Sequence, residues 1–342
     1  MTAPVISERT HRRGRPAPPR ARHQPSTPLL LGRLQRAIRR QLPLMTVVAL
    51  AIAIGGVAYE AAGGVRPLPA ALVWAPVGVA SALMAAVLRE LGRNTVTSLS
   101  SFGRHRGYAV MGAAPELTPH VMKQLPPDRR TPLDTVVFQP ASAFATAFRD
   151  LQNSIGDDRI VSFIGAIPGE GATTAALCTA ASAALQGKRV VLVDCDVRGR
   201  SLTRGLVHDA PEGVLEASQR PGAWRTMLAE EEETGLHFLP AARTTNAWRS
   251  LSGLPGFLQL LGELRDAYDL VVLDCPPALS NADAGIVAGG ARRAILVTAW
   301  DRTPIQAVRA AMRALKVGNR VATAVYVNRV PQGYRFGRLR PD

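Results

Sequence analysis

An α/β fold built on a doubly wound, mostly parallel sheet and preceded by a two-helix transmembrane hairpin is what three features of the 342-residue sequence predict. Charge is partitioned unevenly along the chain. Two uncharged apolar segments each come close to the length that crosses a bilayer. From about Ser142 onward, short β-branched runs alternate with helical stretches, the pattern of parallel strands covered on both faces.

The charge partition sets the domain limits. Lys and Arg number 41 against 26 Asp and Glu, and only Lys123, Lys188 and Lys316 are lysines. Residues 1–42 hold ten Arg and one Glu, residues 43–88 hold only Glu60 and Arg66, and residues 89–342 hold 30 basic and 24 acidic residues. The expected organisation is a basic disordered cytoplasmic arm (1–41), a transmembrane hairpin (42–91), a juxtamembrane connector (92–141), a nucleotide-type α/β domain (142–328) and a basic tail (329–342). Charged residues at 20% and hydrophobics at 47% exclude a wholly disordered chain. Aromatics at 5% argue against a base-stacking single-strand binder. Three cysteines, Cys178, Cys195 and Cys275, make no disulfide framework and fit a reduced compartment. No nucleic acid partner is expected, because the spans already account for the basic arm.

The arm is rich in Arg, Pro, Ser and Thr and reads as a solvated tail that helps to orient the spans; anionic lipid headgroups are its other natural contact. The first span runs over about 42–59 (LPLMTVVALAIAIGGVAY) and the second over about 68–88 (LPAALVWAPVGVASALMAAVL). Neither contains a charge, and EAAGGVRP between them suits a tight loop. RLQRAIRR before the pair and RELGR after it place both chain ends, and the α/β domain, on the cytoplasmic side of a bacterial inner membrane. Gly78, Ala82 and Ala86 form a small-residue stripe that permits close helix packing. The connector is interrupted by Pro115, Pro119, Pro126, Pro127, Pro132 and Pro140.

In the α/β part, strands are expected at 159–165 (RIVSFIG), 189–194, 236–240, 270–274, 294–299 and 321–327, with a helix over TTAALCTAASAALQGK that Gly187 ends. Ligands on such sheets bind beyond the carboxyl ends of the strands. There the first strand meets the turn AIPGEGATT, Ala166 to Thr174. It follows the phosphate-binding pattern G-x-x-x-x-G-K-[ST], in which backbone N–H groups cradle phosphates at a helix N-terminus. Gly171 is the second Gly and Thr173 the hydroxyl residue, but Ala166 stands for the first Gly and Ala172 for the Lys. RVVLVDCDVR ends a strand with Asp194 and Asp196, and YDLVVLDCPP ends another with Asp274. Carboxylates there can hold Mg²⁺ or its water; each could equally be a turn or cap residue.

Taken in order, these motifs resemble the cytoplasmic domain of bacterial tyrosine kinases (BY-kinases), which accompany polysaccharide co-polymerases, the chain-length determinants. PGEGATT (168–174) is similar to the family's PGEGKST, LVDCDVRGRSL (192–202) to LIDxDxRxPxL, YDLVVLDCPP (268–277) to YDxVIIDTPP, and TAFRDLQNSI (146–155) to EAFRxLRTNI. GYAVMGAAPEL (107–117) resembles the GLPVLGVIP-type stretch after the last span of co-polymerases. The resemblance implies a sheet of P-loop NTPase type. It also implies an ATP or ADP site lined by Gly169, Glu170, Gly171, Ala172, Thr173, Thr174 and Arg198, Mg²⁺ on Thr173, Asp194 and Asp274, and Asp194 and Asp196 as the catalytic carboxylates. The implied partners are exopolysaccharide synthesis and export proteins, an intact co-polymerase or kinase, and membrane lipid, in a hetero- or homo-oligomer.

The departures shape the functional expectation. Ala172 removes the cation that meets the β- and γ-phosphates. Thr146 and Gln152 replace two of the three charged residues of the family's EX2RX2R oligomer contact, leaving Arg149. Tyr334 stands alone where the family has a tyrosine cluster. The expectation is therefore a regulator of exopolysaccharide polymerisation, chain length or export with impaired kinase activity. The alternatives are an active ATPase or autokinase that uses Arg198 or Arg200 in place of the Lys, and a membrane-tethered positioning ATPase. The six histidines lack metal spacing; His237 reads as a packed strand residue, and Trp224, Trp248 and Trp300 as core or interface anchors.

Overall fold

The computed structural model describes residues 27–64, 67–91, 95–97, 108–243, 250–281, 284–316 and 322–332. The first 26 residues of the arm, His11, His23, His105, Trp248 and Tyr334 lie outside the described residues. The chain divides into two compact units, Met1–Arg93 and Asn94–Asp342.

The first unit is a pair of helices, α1 (Thr27–Ala62) and α2 (Pro67–Leu91). Helix α1 begins fifteen residues before the expected span, so residues 27–41 of the arm are helical. The reason is local: apart from Gly32 and Ile38, LLLGRLQRAIRRQ is built from Leu, Arg, Gln and Ala, all strong helix formers, and the helix carries on through Pro43 into the apolar run. The small residues make the contact between the two helices. A Cβ on Gly78 would sit 2.5 Å from the Ala49 carbonyl oxygen, and one on Gly56 would sit 2.0 Å from the Trp74 ring. Ala82 of the same stripe is buried, and Trp74 Nε1 donates to Glu60 Oε1 at 3.0 Å. Large apolar side chains point the other way: Leu42, Val47, Leu50 and Ile54 on α1, and Leu72, Val73, Val79 and Leu83 on α2, are exposed. Among the described residues, Leu42–Ala62 is the helix long and apolar enough to cross a membrane, with mean hydropathy 2.1; the apolar stretch of α2, Leu72–Ala86, is shorter.

The second unit is an eight-stranded sheet. Its elements are β1 (Ala109–Pro115), α3 (Pro119–Met122), α4 (Pro132–Phe138), α5 (Ala143–Ile155), β2 (Ile160–Gly165), α6 (Ala172–Ala184), β3 (Val190–Asp194), α7 (Ser201–Leu206), α8 (Val214–Ala217), β4 (Ala229–Glu231), β5 (Leu236–Leu239), α9 (Pro255–Ala267), β6 (Leu270–Asp274), α10 (Ala284–Ala288), β7 (Arg293–Ala299), α11 (Ile305–Lys316) and β8 (Ala322–Val330). Strand order is β1-β8-β7-β2-β6-β3-β5-β4. Every pairing is parallel except β4 with β5.

Two strands differ from expectation. The stretch read as a connector supplies β1, which pairs in parallel with β8, and it lies in the same compact unit, Asn94–Asp342, as the rest of the sheet. Just upstream, the Val96 N–H donates to Thr303 O at 3.0 Å, and the Val96 carbonyl oxygen accepts from Asp301 N at 2.7 Å. Strand β1 reads AVMGAAP, with little β-branched character, because an edge strand buries only part of its surface. Strand β4 is three residues, AEE, ordered by its antiparallel partner.

One face of the sheet is covered by α5 and α6. Phe148, Leu151, Ala176 and Ala180 are buried there against Phe163, Leu192 and Val272. The other face carries α9 and α11, with Leu260, Leu264, Met312 and Leu315 over Val191, Val271 and Leu296. The alanines of α6 let that helix lie close to the strands. Strand β2 sits mid-sheet between β6 and β7, so the turn that follows it opens at the centre of the carboxyl edge.

Candidate functional site

The turn after β2 is shaped by backbone conformations that favour glycine. Gly169 and Gly171 have φ of +82° and +91°, in the left-handed region. Gly171 is also pressed by the Asn328 amide, which a Cβ would meet at 2.2 Å. Gly171 caps α6 with no side-chain hydrogen bond, so the first N–H groups of that helix have no side-chain acceptor. Such a terminus suits an anion.

Glu170 stabilises the turn from within. Its carboxylate is turned into the protein: Oε2 accepts from Ile167 N at 2.9 Å, and Oε1 accepts from the Thr303 hydroxyl. Asn328 Nδ2 donates to the Glu170 carbonyl at 3.1 Å. Burial pushes the Glu170 carboxyl above the ordinary range, and the Thr303 and Ile167 hydrogen bonds pull it back. Glu170 lines the cleft, and its carboxylate holds the loop's shape, because an acid three residues along can close a tight turn on its own backbone.

A cleft of about 450 Å³ opens above this turn. It is lined by the turn residues Ile167–Thr174, by Asp196, Gly199, Ser201 and Arg204 from the segment after β3, by Cys275 and Pro277 after β6, and by Arg329 at the end of β8. Gly169, Glu170, Gly171, Ala172, Thr173, Thr174 and Asp196 of the expected set are therefore together. Arg198 is not among them. It is exposed and lines a neighbouring small recess with Cys195, Asp196, Val197 and Ser250. Arg200 is also unavailable: its Nε donates to Ala241 O at 2.8 Å and its guanidinium pairs with Asp209. Arg204 and Arg329 are the cleft arginines that the sequence reading missed. Both are polar residues outside any periodic pattern, and only the tertiary fold brings them to the turn.

The three acids are not equivalent. Asp194 and Asp274 are register partners at the ends of β3 and β6, both buried. Asp194 is fully engaged. Its Oδ2 accepts from the Thr203 N–H at 3.0 Å and the Thr203 hydroxyl at 2.7 Å, and its Oδ1 accepts from Asp196 N at 3.1 Å. Burial pushes it up to about 6. Asp194, expected as a catalytic and metal-binding carboxylate, thus anchors α7 to the sheet. Asp196 Oδ1 accepts from Gly199 N at 3.0 Å and helps form the cleft wall. Asp274 has both carboxylate oxygens buried without a hydrogen-bond partner. Burial, and secondarily the Asp194 charge, push it well above the ordinary range; the Thr173 hydroxyl offers partial relief without a well-aligned bond. An unpartnered buried carboxylate is costly unless a ligand or ion completes it.

The donor set passes this test for a magnesium–nucleotide. It offers a left-handed Gly cradle, an open helix N-terminus, a hydroxyl at Thr173 and an orphaned acid at Asp274. Among the described residues no cluster of three or more His, Cys, Asp or Glu could hold a metal alone. A hard cation bound by one acid, one hydroxyl and phosphate oxygens needs none. Outside the cleft, His237 Nδ1 and the Tyr268 hydroxyl are 2.6 Å apart, and Trp224 is buried with its Nε1 donating to Glu263; all three cysteines, including Cys275 at the cleft, are free and buried. On α5, Gln152 is buried with its Oε1 unpartnered, while Arg149 is exposed beside Thr146. Position 152 therefore offers no surface for an oligomer contact.

A mostly parallel sheet with a glycine cradle at its central carboxyl edge defines a nucleotide-binding fold of P-loop type, and a family model for an AAA domain matches residues 158–289. EpsB of Ralstonia solanacearum is 28% identical over 271 residues, 76% of this chain and 36% of its own length. The succinoglycan biosynthesis transport protein ExoP of Rhizobium meliloti is 28% identical over 203 residues, 57% of this chain and 26% of its own length. The solved kinase domain of Escherichia coli tyrosine kinase ETK superposes with a TM-score of 0.63 at 21% identity, over 72% of this chain and 100% of that domain. The chain spans about a third of the length of the curated relatives that it matches over its longest stretch. In sequence the chain is thus similar to bacterial tyrosine kinases (BY-kinases) and an exopolysaccharide transport protein, and in fold to a BY-kinase domain.

Proposed function

We propose that this protein is an inner-membrane-anchored, BY-kinase-like regulator of exopolysaccharide polymerisation, chain length or export whose phosphoryl-transfer capacity is impaired. The carrying observation is Ala172 at the first position of α6, inside a cleft that otherwise keeps its glycine cradle, Thr173 and Asp196, with Asp274 buried at the end of β6. When bound, Mg²⁺·ATP would supply the transferable phosphoryl group and the charge that completes Asp274. The backbone N–H groups from Gly169 to Thr173 hold phosphate oxygens, Thr173 and Asp274 hold the metal, and Asp196 forms the wall opposite. Phosphoryl transfer depends mainly on positioning and on stabilising charge in the transition state. Losing one cationic donor there costs on the order of 3 kcal/mol of that stabilisation.

Anchoring is by two spans, α1 and α2, with both chain ends and the α/β unit in the cytoplasm. The exposed apolar flank of each helix supports this reading. The partners are exopolysaccharide synthesis and export proteins, with an intact co-polymerase or kinase in a hetero-oligomer; a homo-oligomer is the simpler alternative. With Gln152 buried and Arg149 alone, the surface contact must come from elsewhere.

The test is autophosphorylation of the purified full-length protein with γ-labelled ATP. No label above background is expected. Tyrosine label that disappears in Asp274→Asn would replace this reading with that of an active autokinase.

A further inference from the structure

We propose that Arg204 and Arg329 supply the positive charge for the phosphates of a bound nucleoside triphosphate, in place of the lysine that Ala172 lacks. The inference rests on reading the cleft as a nucleotide site and names the residues that hold the charged end of the ligand.

The arrangement follows from three observations. Ser201 opens α7 and lies 3.4 Å, Oγ to Oγ1, from Thr173 of the turn. Arg204 is three residues further on and so shares that helix face. Its exposed side chain lines the cleft beside the hydroxyl that would carry the metal. Arg329 approaches from the opposite wall. Its neighbour Asn328 donates to the Glu170 carbonyl and presses on Gly171, and its own N–H donates to Asn328 Oδ1 at 2.9 Å. Arg329 also has φ of +59°, a left-handed conformation that costs a non-glycine residue energy and is found disproportionately at binding sites. Among the described residues neither guanidinium takes part in an ion pair, whereas Arg200, Arg129, Arg189, Arg220, Arg293 and Arg302 are each paired with a carboxylate. Two unpaired cations thus flank an anion cradle from two sides. A guanidinium can bind phosphate oxygens bidentately, and its reach compensates for an origin outside the loop.

Such a site binds nucleotide without placing a cation along the lysine's path. It therefore separates holding a triphosphate from transferring it, which is what a nucleotide-responsive regulator needs.

The experiment is titration of the full-length protein, in detergent or nanodiscs, with Mg²⁺·ATPγS and Mg²⁺·ADP by calorimetry. The variants are Arg204→Ala, Arg329→Ala, the double variant, Arg198→Ala and Ala172→Lys in the Arg204→Ala background. Wild type is expected to bind ATPγS. Each single cleft variant should weaken that binding about tenfold, and ADP binding less. Arg198→Ala should bind like wild type, and Ala172→Lys should restore the affinity lost in Arg204→Ala. Wild-type binding that is unchanged in the double variant overturns the arginine assignment alone. Absence of ATPγS binding to wild-type protein overturns the nucleotide reading itself and the assignment with it. Thermal melts of each variant verify folding, which removing two solvent-accessible side chains should leave intact.

Discussion

The two units of this chain place the same residue types in opposite positions. In the helix pair, Gly56, Gly78 and Ala82 face inward, and Leu42, Leu50 and Ile54 are exposed. In the α/β unit, Phe163, Ile164, Leu192 and Val271 are wholly buried, and large apolar side chains such as Leu258 and Ile286 are exposed only singly. Helices in water gain stability by hiding large apolar groups. Helices in lipid gain nothing that way and associate through small residues and close backbones. The inversion supports the proposed membrane hairpin, and it does so more specifically than apolar composition alone.

The largest expected effect breaks that contrast on its exposed side. Leu50→Arg with Ile54→Arg puts two charges on the outer face of α1. Each should cost about 2.5–3.5 kcal/mol of insertion. Carbonate extraction of membranes should shift the double variant to the soluble fraction or to aggregates while wild type stays in the pellet. A double variant that remains resistant to carbonate would show that this face does not meet lipid.

A smaller effect sharpens the contrast on the buried side. Asp274 is a charge that the α/β unit buries without a partner, so Asp274→Asn should stabilise that unit by about 1–3 kcal/mol at neutral pH, read by urea unfolding of the full-length protein. The pH dependence gives the sign. A carboxyl raised by folding binds its proton more tightly in the folded chain, so stability falls as pH rises from its unfolded value near 4. Asp194, pushed up to about 6, behaves the same way over pH 4 to 6. The advantage of Asp274→Asn over wild type should therefore be smallest near pH 4 and widen as pH rises. An advantage that shrinks with pH would mean that the Asp274 carboxylate is already neutralised by a partner.

Much of this architecture was legible in the residues, and the limits were physical. Strands β2, β3, β6 and β7 are continuous β-branched runs because both faces are buried, and such runs stand out without any tertiary knowledge. Strand β1 was not legible: an Ala- and Gly-rich edge strand owes its conformation to β8, more than 200 residues away. The turn from Ala166 to Thr174 could be read from its glycines and the helix that follows. Which acids are free could not. Asp194 and Asp274 end equivalent strands in similar sequences, yet Thr203 satisfies one, and among the described residues no well-aligned hydrogen bond reaches the other. Arg198 fitted a motif and lines a neighbouring recess, while Arg204 and Arg329 fit none and line the cleft.

The central claim is that Ala172 disables transfer in a site that still binds. It is tested most directly by measuring ATP turnover and autophosphorylation of full-length wild type beside Ala172→Lys. The account predicts background rates for wild type and a gain of activity in Ala172→Lys that Asp274→Asn abolishes. Robust wild-type turnover, lost in Asp274→Asn and indifferent to Ala172→Lys, would contradict it.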